Sequence, residues 1–193
     1  MPSTIKKANE IPTIDVNLVT VQKNEVDADE WILDTASQIQ VEPQIEETEA
    51  VQLIIKGVLK AQKPMVSTLT GNQITLTDNV FTPELVKMLQ GGTITYDSDN
   101  TTVKKYEPPV AGSTPQGEEF ILNAYSAQYN AAGQIVRYEK ITYPNCTGVP
   151  VAFGATDGEF RVNEYTINSA PDTGQAPYTI EYVDSLPVVT PEE

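Results

Sequence analysis

FTPELVKMLQGGTITY, residues 81–96, is the one stretch of this chain that punctuates a helix at both ends. Thr82 suits the N-cap, and Pro83 suits the first helical position, where its missing N–H costs nothing. Glu84 falls in the first turn, where the helix dipole favours negative charge. Leu85, Val86, Met88 and Leu89 recur at helical spacing and form an apolar face. Gly91 and Gly92 then offer a left-handed stop. A helix of about two turns is marginal alone, so this one must dock against something. Around it the chain reads as strand and turn. Val, Ile, Thr and Tyr are plentiful, and Gly and Pro recur between them.

Upstream, Ile14, Val16 and Leu18 alternate with polar neighbours as in a strand. Lys23 to Glu30 is a charged loop, and Trp31 to Leu33 is an apolar anchor after it. Ile39 to Glu49 alternates and then turns acidic around Pro43, which confines it to an edge or a loop. Val51 to Ala61 is rich in β-branched residues and predicts one long strand bent near Gly57. Residues 36–61 together predict a long hairpin with an acidic tip. Met65 to Leu69 and Gln73 to Thr77 predict a second hairpin turning at Thr70-Gly71-Asn72.

Downstream of the helix, Thr93 to Tyr96 and Thr102 to Tyr106 flank a turn at Asp97-Ser98-Asp99-Asn100. Glu118 to Tyr129 and Gln134 to Tyr143 form the clearest hairpin, turning at Asn130 to Gly133. Residues 144–158 read as loop, and Phe160 to Asn168 and Tyr178 to Val183 as the last strands. The expectation is about ten strands and one helix at about residues 83–90, in a single mainly β domain of sandwich or barrel-like form. That domain spans residues 13–186, between a flexible arm (1–12) and a mobile tail (187–193). Its 193 residues are enough for a real core.

Composition removes many function classes. The sequence contains no histidine, which removes the commonest general base, the Ser-His and Cys-His nucleophile systems and most zinc or copper sites. Cys146 is the only cysteine, so no disulfide can form within the chain. It lies in an apparent loop, YPNCTG, with no activating partner close in sequence. Asp27-Ala28-Asp29-Glu30 and Asp97-Ser98-Asp99-Asn100 have acidic spacing but lack the glycine and terminal glutamate of a calcium loop. Asn100-Thr101-Thr102 and Asn145-Cys146-Thr147 read as chance matches to the glycosylation pattern, because MPSTIKKANEIPTID has no apolar run and is not a secretory signal. No stretch approaches the roughly 18 apolar residues of a membrane helix. The expectation is no cofactor, no metal and no enzyme activity.

The formal net charge is −15, from 27 acidic and 12 basic side chains. Residues 1–50 alone carry eleven acidic residues against three lysines. Such a chain is poorly suited to gripping nucleic acid or anionic membranes. Its acidity reads either as a solvated surface or as a surface that repels another polyanion. Tyr125, Tyr129, Tyr138, Tyr143, Phe160, Tyr165, Tyr178 and Tyr182 crowd the C-terminal half. They read as strand packing or as a sugar-stacking platform.

The run NQITLTDNVFTPELVKMLQGGTITYD, Asn72 to Asp97, resembles the central segment of phage major tail tube proteins. These place a strand, a Thr-Pro-Glu-like helix start, a short helix and a Gly-Gly exit in this order, with two hairpins before and a long one after. The family is related in architecture to the tube proteins of type VI secretion. The resemblance implies a virion tail protein, assembled in the host cytoplasm into stacked hexameric rings. Its inner strands would join into one barrel with an acidic lumen through which DNA slides during ejection. Partners would be its own copies, then tape measure, sheath, baseplate or terminator proteins, with DNA passing through transiently. Six copies would carry roughly −90 formal charges, more than screening over about 8 Å hides. On this reading Leu85, Val86, Met88 and Leu89 pack the helix or lie near a subunit seam. Glu25, Asp27, Asp29, Glu30, Glu42, Glu46, Glu47 and Glu49 are candidates for ring-to-ring contact. Two other classes stay open: a capsid decoration or carbohydrate-binding surface module, and a hydrolase using paired carboxylates.

Overall fold

A computed structural model describes residues 12–25, 28–98, 102–114 and 117–188. The N-terminal arm as far as residue 11, Asp27, Asp99, Asn100 and the last five residues therefore lie outside the described residues. Strands β1 (Thr13–Lys23), β2 (Glu30–Leu33), β9 (Phe120–Tyr129), β10 (Ile135–Gly148) and β12 (Thr179–Val183) form one antiparallel layer, in the order β2-β1-β9-β10-β12. Strand β10 is long enough to serve two layers. Its register shifts between Tyr143 and Cys146, and Cys146 to Gly148 then pair with β11 (Asn163–Ser169). From β11 the second layer continues through β6 (Val66–Asp78) to β3 (Ala36–Thr48). A bulge that bends a strand in this way turns a sheet over its own core. The result is a sandwich that does not close into a barrel, as the mainly β expectation held.

The core follows from the period-two alternation of the strands. Val19 and Val21 of β1 and Phe120, Leu122 and Ala124 of β9 point inward from the first layer. Ile74 and Leu76 of β6 and Tyr165 and Ile167 of β11 meet them from the second. Outward residues of the second layer are polar, among them Gln73, Thr75, Thr77, Glu164 and Thr166.

Helix α1 runs from Pro83 to Gln90, as its punctuation predicts. Leu85, Val86, Met88 and Leu89 are 0–2% exposed and belong to the core cluster. The helix ends at Gly91 as expected, whose N–H donates to the Lys87 carbonyl at 2.7 Å, but with φ 79° and ψ −163° the glycine leaves the helix in an extended positive-φ conformation rather than a left-handed one. The N-cap differs from expectation. Thr82 has cap backbone geometry but makes no side-chain cap bond; its hydroxyl donates instead to Asp78 Oδ2 at 3.4 Å. Asp78 is fully buried and also accepts from the Thr35 hydroxyl at 2.5 Å, so the carboxylate at the end of β6 outcompetes the helix for the Thr82 side chain. At the other end, Gln90 donates to the Tyr106 hydroxyl and accepts from Val151 N–H, both at 2.9 Å. This ties the helix to the small hairpin of β7 (Thr93–Tyr96) and β8 (Val103–Glu107).

Twelve strands are present among the described residues, and four local expectations are corrected. Thr70-Gly71-Asn72 is not a turn: β6 passes straight through it, pairing Gly71 with Gln44 and Asn72 with Pro43. Glycine is needed there for a different reason, since a Cβ on Gly71 would collide with the Ser169 carbonyl oxygen of β11. The real turn is at Lys56-Gly57, with φ 50° and 78°, which splits the expected long strand into β4 (Val51–Ile55) and β5 (Val58–Lys63). Two consecutive positive φ values make a two-residue hairpin turn that matches strand twist. The acidic residues therefore line a stem rather than a tip. Finally, residues 144–148 are strand, and Cys146 is a buried core residue rather than a loop residue. Gly71→Ala should cost about 1–3 kcal/mol by forcing β6 and β11 apart. Chemical denaturation would show it as a lower midpoint with an unchanged slope.

Candidate functional site: an assembly surface

Cys146 is fully buried, its Sγ lies 3.3 Å from the Tyr143 carbonyl, and burial pushes the thiol up to about 12. No group of acidic or thiol side chains among the described residues could hold a metal ion. No helix among the described residues is long and apolar enough to cross a membrane. The C-terminal tyrosines do not make a flat platform. Tyr125, Tyr143 and Tyr165 are buried, and Tyr182 is covered on one face by the Arg137 guanidinium, 4.1 Å from its ring centre.

The surfaces are more informative. In the first layer, β2 and β12 each have one hydrogen-bonded neighbour among the described residues, so the layer has an open edge at either end. Between those edges the face turned away from the core is mixed: a polar row runs across it beside Leu18, Ile32, Ile121 and Val183, and Thr20 and Asn123 within that row are buried. Thr20, Asn123, Thr142 and Thr179 stand in one row across β1, β9, β10 and β12. Asn123 donates to Thr20 Oγ1 at 3.1 Å and accepts from the Thr142 hydroxyl at 2.8 Å. The next row is Leu18, Tyr125, Lys140 and Glu181. Charge on this face is sparse, with Glu30, Glu181 and Lys140 as its ionised groups within the paired rows. The acidity of the chain is concentrated elsewhere.

A second surface is an arm. Beyond about Glu42, β3 and β6 leave the body, and the β4–β5 hairpin continues them to Lys56-Gly57. Every described residue from Val51 to Thr70 is exposed, including Val51, Leu53, Ile54, Ile55, Val58 and Leu59 at 48–63%. An apolar surface of this extent on an isolated hairpin marks an interaction site. The stem carries Glu42, Glu46 and Glu47 on β3 with Glu49 just beyond it; Glu42 accepts from Gln40 at 3.4 Å and Glu47 from Ser67 at 3.3 Å.

A third feature is a cleft of about 270 Å³ between the helix, β2 and β7, lined in part by Glu25, Asp29, Trp31, Glu84, Lys87, Met88, Ile94 and Tyr96. Lys23 is also there but is held by Glu118 at 2.6 Å, and that bond raises the lysine above its ordinary range against the opposing effect of burial. Burial first, and then the Glu84 carboxylate, push the Tyr96 hydroxyl up.

The structure thus separates the residues singled out from the sequence. Leu85, Val86, Met88 and Leu89 are interior, Glu25 and Asp29 line the cleft, Glu30 sits on the edge strand β2, and Glu42 to Glu49 line the stem. The sequence reading missed the apolar arm because Val51 to Ala61 has the composition of a core strand. The available signal was the lysine at every third or fourth position, which a core strand does not tolerate.

No family model and no curated protein matches the chain. Solved structures similar to it over most of its length include the following three. The anti-feeding prophage cap (the tube-terminating cap) aligns at 16% identity and TM-score 0.39, covering 93% of this chain and 95% of that one. The sheath-tube complex of an extracellular contractile injection system aligns at 17% identity and TM-score 0.39, covering 90% and 93%. The anti-feeding prophage baseplate aligns at 10% identity and TM-score 0.35, covering 94% and 98%. At these values none of the three likenesses carries the functional reading, which rests on the chain's own surfaces.

Proposed function

We propose that the chain is a structural subunit that assembles with copies of itself into rings and stacked tubes, as the tail tube resemblance of Asn72 to Asp97 implies. The observation that carries this reading is the first layer with its two open edges. Strand edges left unpaired are a hazard unless something consumes them. If β2 of one copy pairs with β12 of the next, the contact is head-to-tail, and repetition closes a ring. Six copies in a ring, stacked as the tube of a virion tail assembled in the host cytoplasm, would conduct DNA during ejection.

In such a ring the face of the first layer turned away from the core would form the bore. Its Thr and Asn rows offer hydroxyls and amides that already bond one another, and its paired rows carry two carboxylates and one lysine per copy. The bore would be mildly acidic, far less so than the net charge of −15 suggests. A passing polyanion would find few cations to hold it. The role is structural rather than catalytic, which suits a chain without histidine whose one thiol is buried.

Purified protein, concentrated and viewed by negative-stain electron microscopy, should show rings with six-fold symmetry and tubes built from them. Monomers persisting across salt and concentration would sink the proposal. A stable monomer that bound glycans on an array would favour the surface-module alternative.

A further inference from the structure

The geometry points to the arm of one copy docking in the cleft beside the helix of another copy, an attachment that rests on the self-assembly reading and specifies how it is held. No described residue of the chain covers the arm: Leu53, Ile54, Ile55, Val58 and Leu59 are each about half exposed. A two-stranded hairpin with no third layer is marginal in water, so its stable state is one in which a partner covers it. The arm also has a charge of its own. Between Glu49 and Asp78 lie Lys56, Lys60 and Lys63 and not one of the 27 acidic residues of the chain. The hairpin from Val51 to Lys63 is therefore a basic, apolar tip on a stem that carries Glu46, Glu47 and Glu49 and on a strongly acidic body.

The cleft has the opposite character. Its floor is apolar and aromatic, from Trp31, Met88 and Ile94, and its charged lining includes Glu25, Asp29 and Glu84. Of the two lysines nearby, Lys23 is paired with Glu118, which leaves the carboxylates in excess. At about 270 Å³ it is smaller than the usual cofactor or ligand pocket and is sized for a few side chains. Arm and cleft sit on different parts of one chain, so joining them makes a head-to-tail contact that repeats from copy to copy. A second copy is thus the occupant that brings matching charge and matching apolar surface together.

Charge reversal gives a test with a built-in rescue. Lys56→Glu, Lys60→Glu and Lys63→Glu in one protein leave its arm and its cleft both acidic. Glu25→Lys, Asp29→Lys and Glu84→Lys in a second leave both basic. Either protein alone should need at least about ten times the wild-type concentration to assemble, as read by sedimentation velocity. Mixed one to one, each arm meets a cleft of opposite charge, and assembly should return to within a few-fold of wild type. Assembly of either variant alone at wild-type concentration, or a mixture that stays dispersed, would overturn the docking while leaving ring formation intact. Wild-type chains that form salt-sensitive oligomers obeying the mixing rule, but no rings, would overturn the tube reading alone. Wild-type chains that never associate would overturn both. Should a reversed variant misfold by circular dichroism, two single substitutions serve instead. A Val58→Cys protein mixed with a Tyr96→Cys protein should give an oxidative cross-linked heterodimer, and absence of that product would count against the docking.

Discussion

Replacing Leu89 by Asp should leave no soluble, cooperatively folding protein. Leu89 is 1% exposed, and its backbone and side chain lie against Gly148 of β10 so closely that a Cβ on that glycine would overlap them. The space can take neither water nor a relaxed side chain. A buried carboxylate without a partner costs several kcal/mol, and removal of the leucyl contacts adds about 2–5 kcal/mol. A domain of this size has about 5–15 kcal/mol in total. An eight-residue helix has no independent stability to fall back on, so losing its docking melts it. Leu85→Asp should behave alike, since Leu85 is also fully buried. Lys87→Asp, half-buried on the same helix, is the control and should fold. Soluble expression and near-ultraviolet circular dichroism would read the outcome. Folded Leu89→Asp protein that merely fails to form rings would instead place this face at a contact between subunits.

Stability should fall steeply in alkali, and two neighbouring residues of β10 account for it. Burial raises the Cys146 thiol from 9.0 to about 12 and the Tyr143 hydroxyl from 10.0 to about 12, with Tyr178 adding to the second. Both groups are neutral when protonated, and both keep the proton longer in the folded state. Their contribution is therefore complete below the ordinary values and is lost as pH rises towards the folded values near 12. Each group ionising only in the unfolded chain removes about 1.4 kcal/mol per pH unit. The loss from Cys146 starts near pH 9 and reaches on the order of 4 kcal/mol by pH 12. The urea midpoint should thus drop sharply between pH 9 and 11, and less so in Cys146→Ala. A flat midpoint over that range would refute the assignment. The same burial predicts that a thiol reagent at pH 8 leaves the native protein unmodified and labels Cys146 once urea unfolds it.

Helix α1 was legible because every signal for it is local. Pro83, the apolar spacing from Leu85 to Leu89, and Gly91 act within a few residues of one another. The strand pair of β9 and β10 was legible for a similar reason, a turn at Asn130 to Gly133 closing two long alternating runs. The arm and its stem are not legible locally, because two glycines, Gly57 and Gly71, offer the same local freedom. What distinguishes them is remote: Gly71 is pressed by the Ser169 carbonyl, nearly a hundred residues further along the chain, whereas a Cβ on Gly57 would meet nothing. Nothing local marks the strand around Cys146, because the bulge that carries β10 from one layer to the other has no composition of its own.

The amino-acid sequence by itself determined the mainly β content, the position of the single helix, the absence of histidine chemistry and the acidic balance. Each of these depends on residue type and short-range spacing. Tertiary structure alone decided which strand edges stay open, that Lys56, Lys60 and Lys63 stand on an exposed apolar arm, and that the face between the open edges carries few of the chain's charges. Those are outcomes of pairing between residues far apart in the chain. Register moves every side chain of a strand to one face or the other at once.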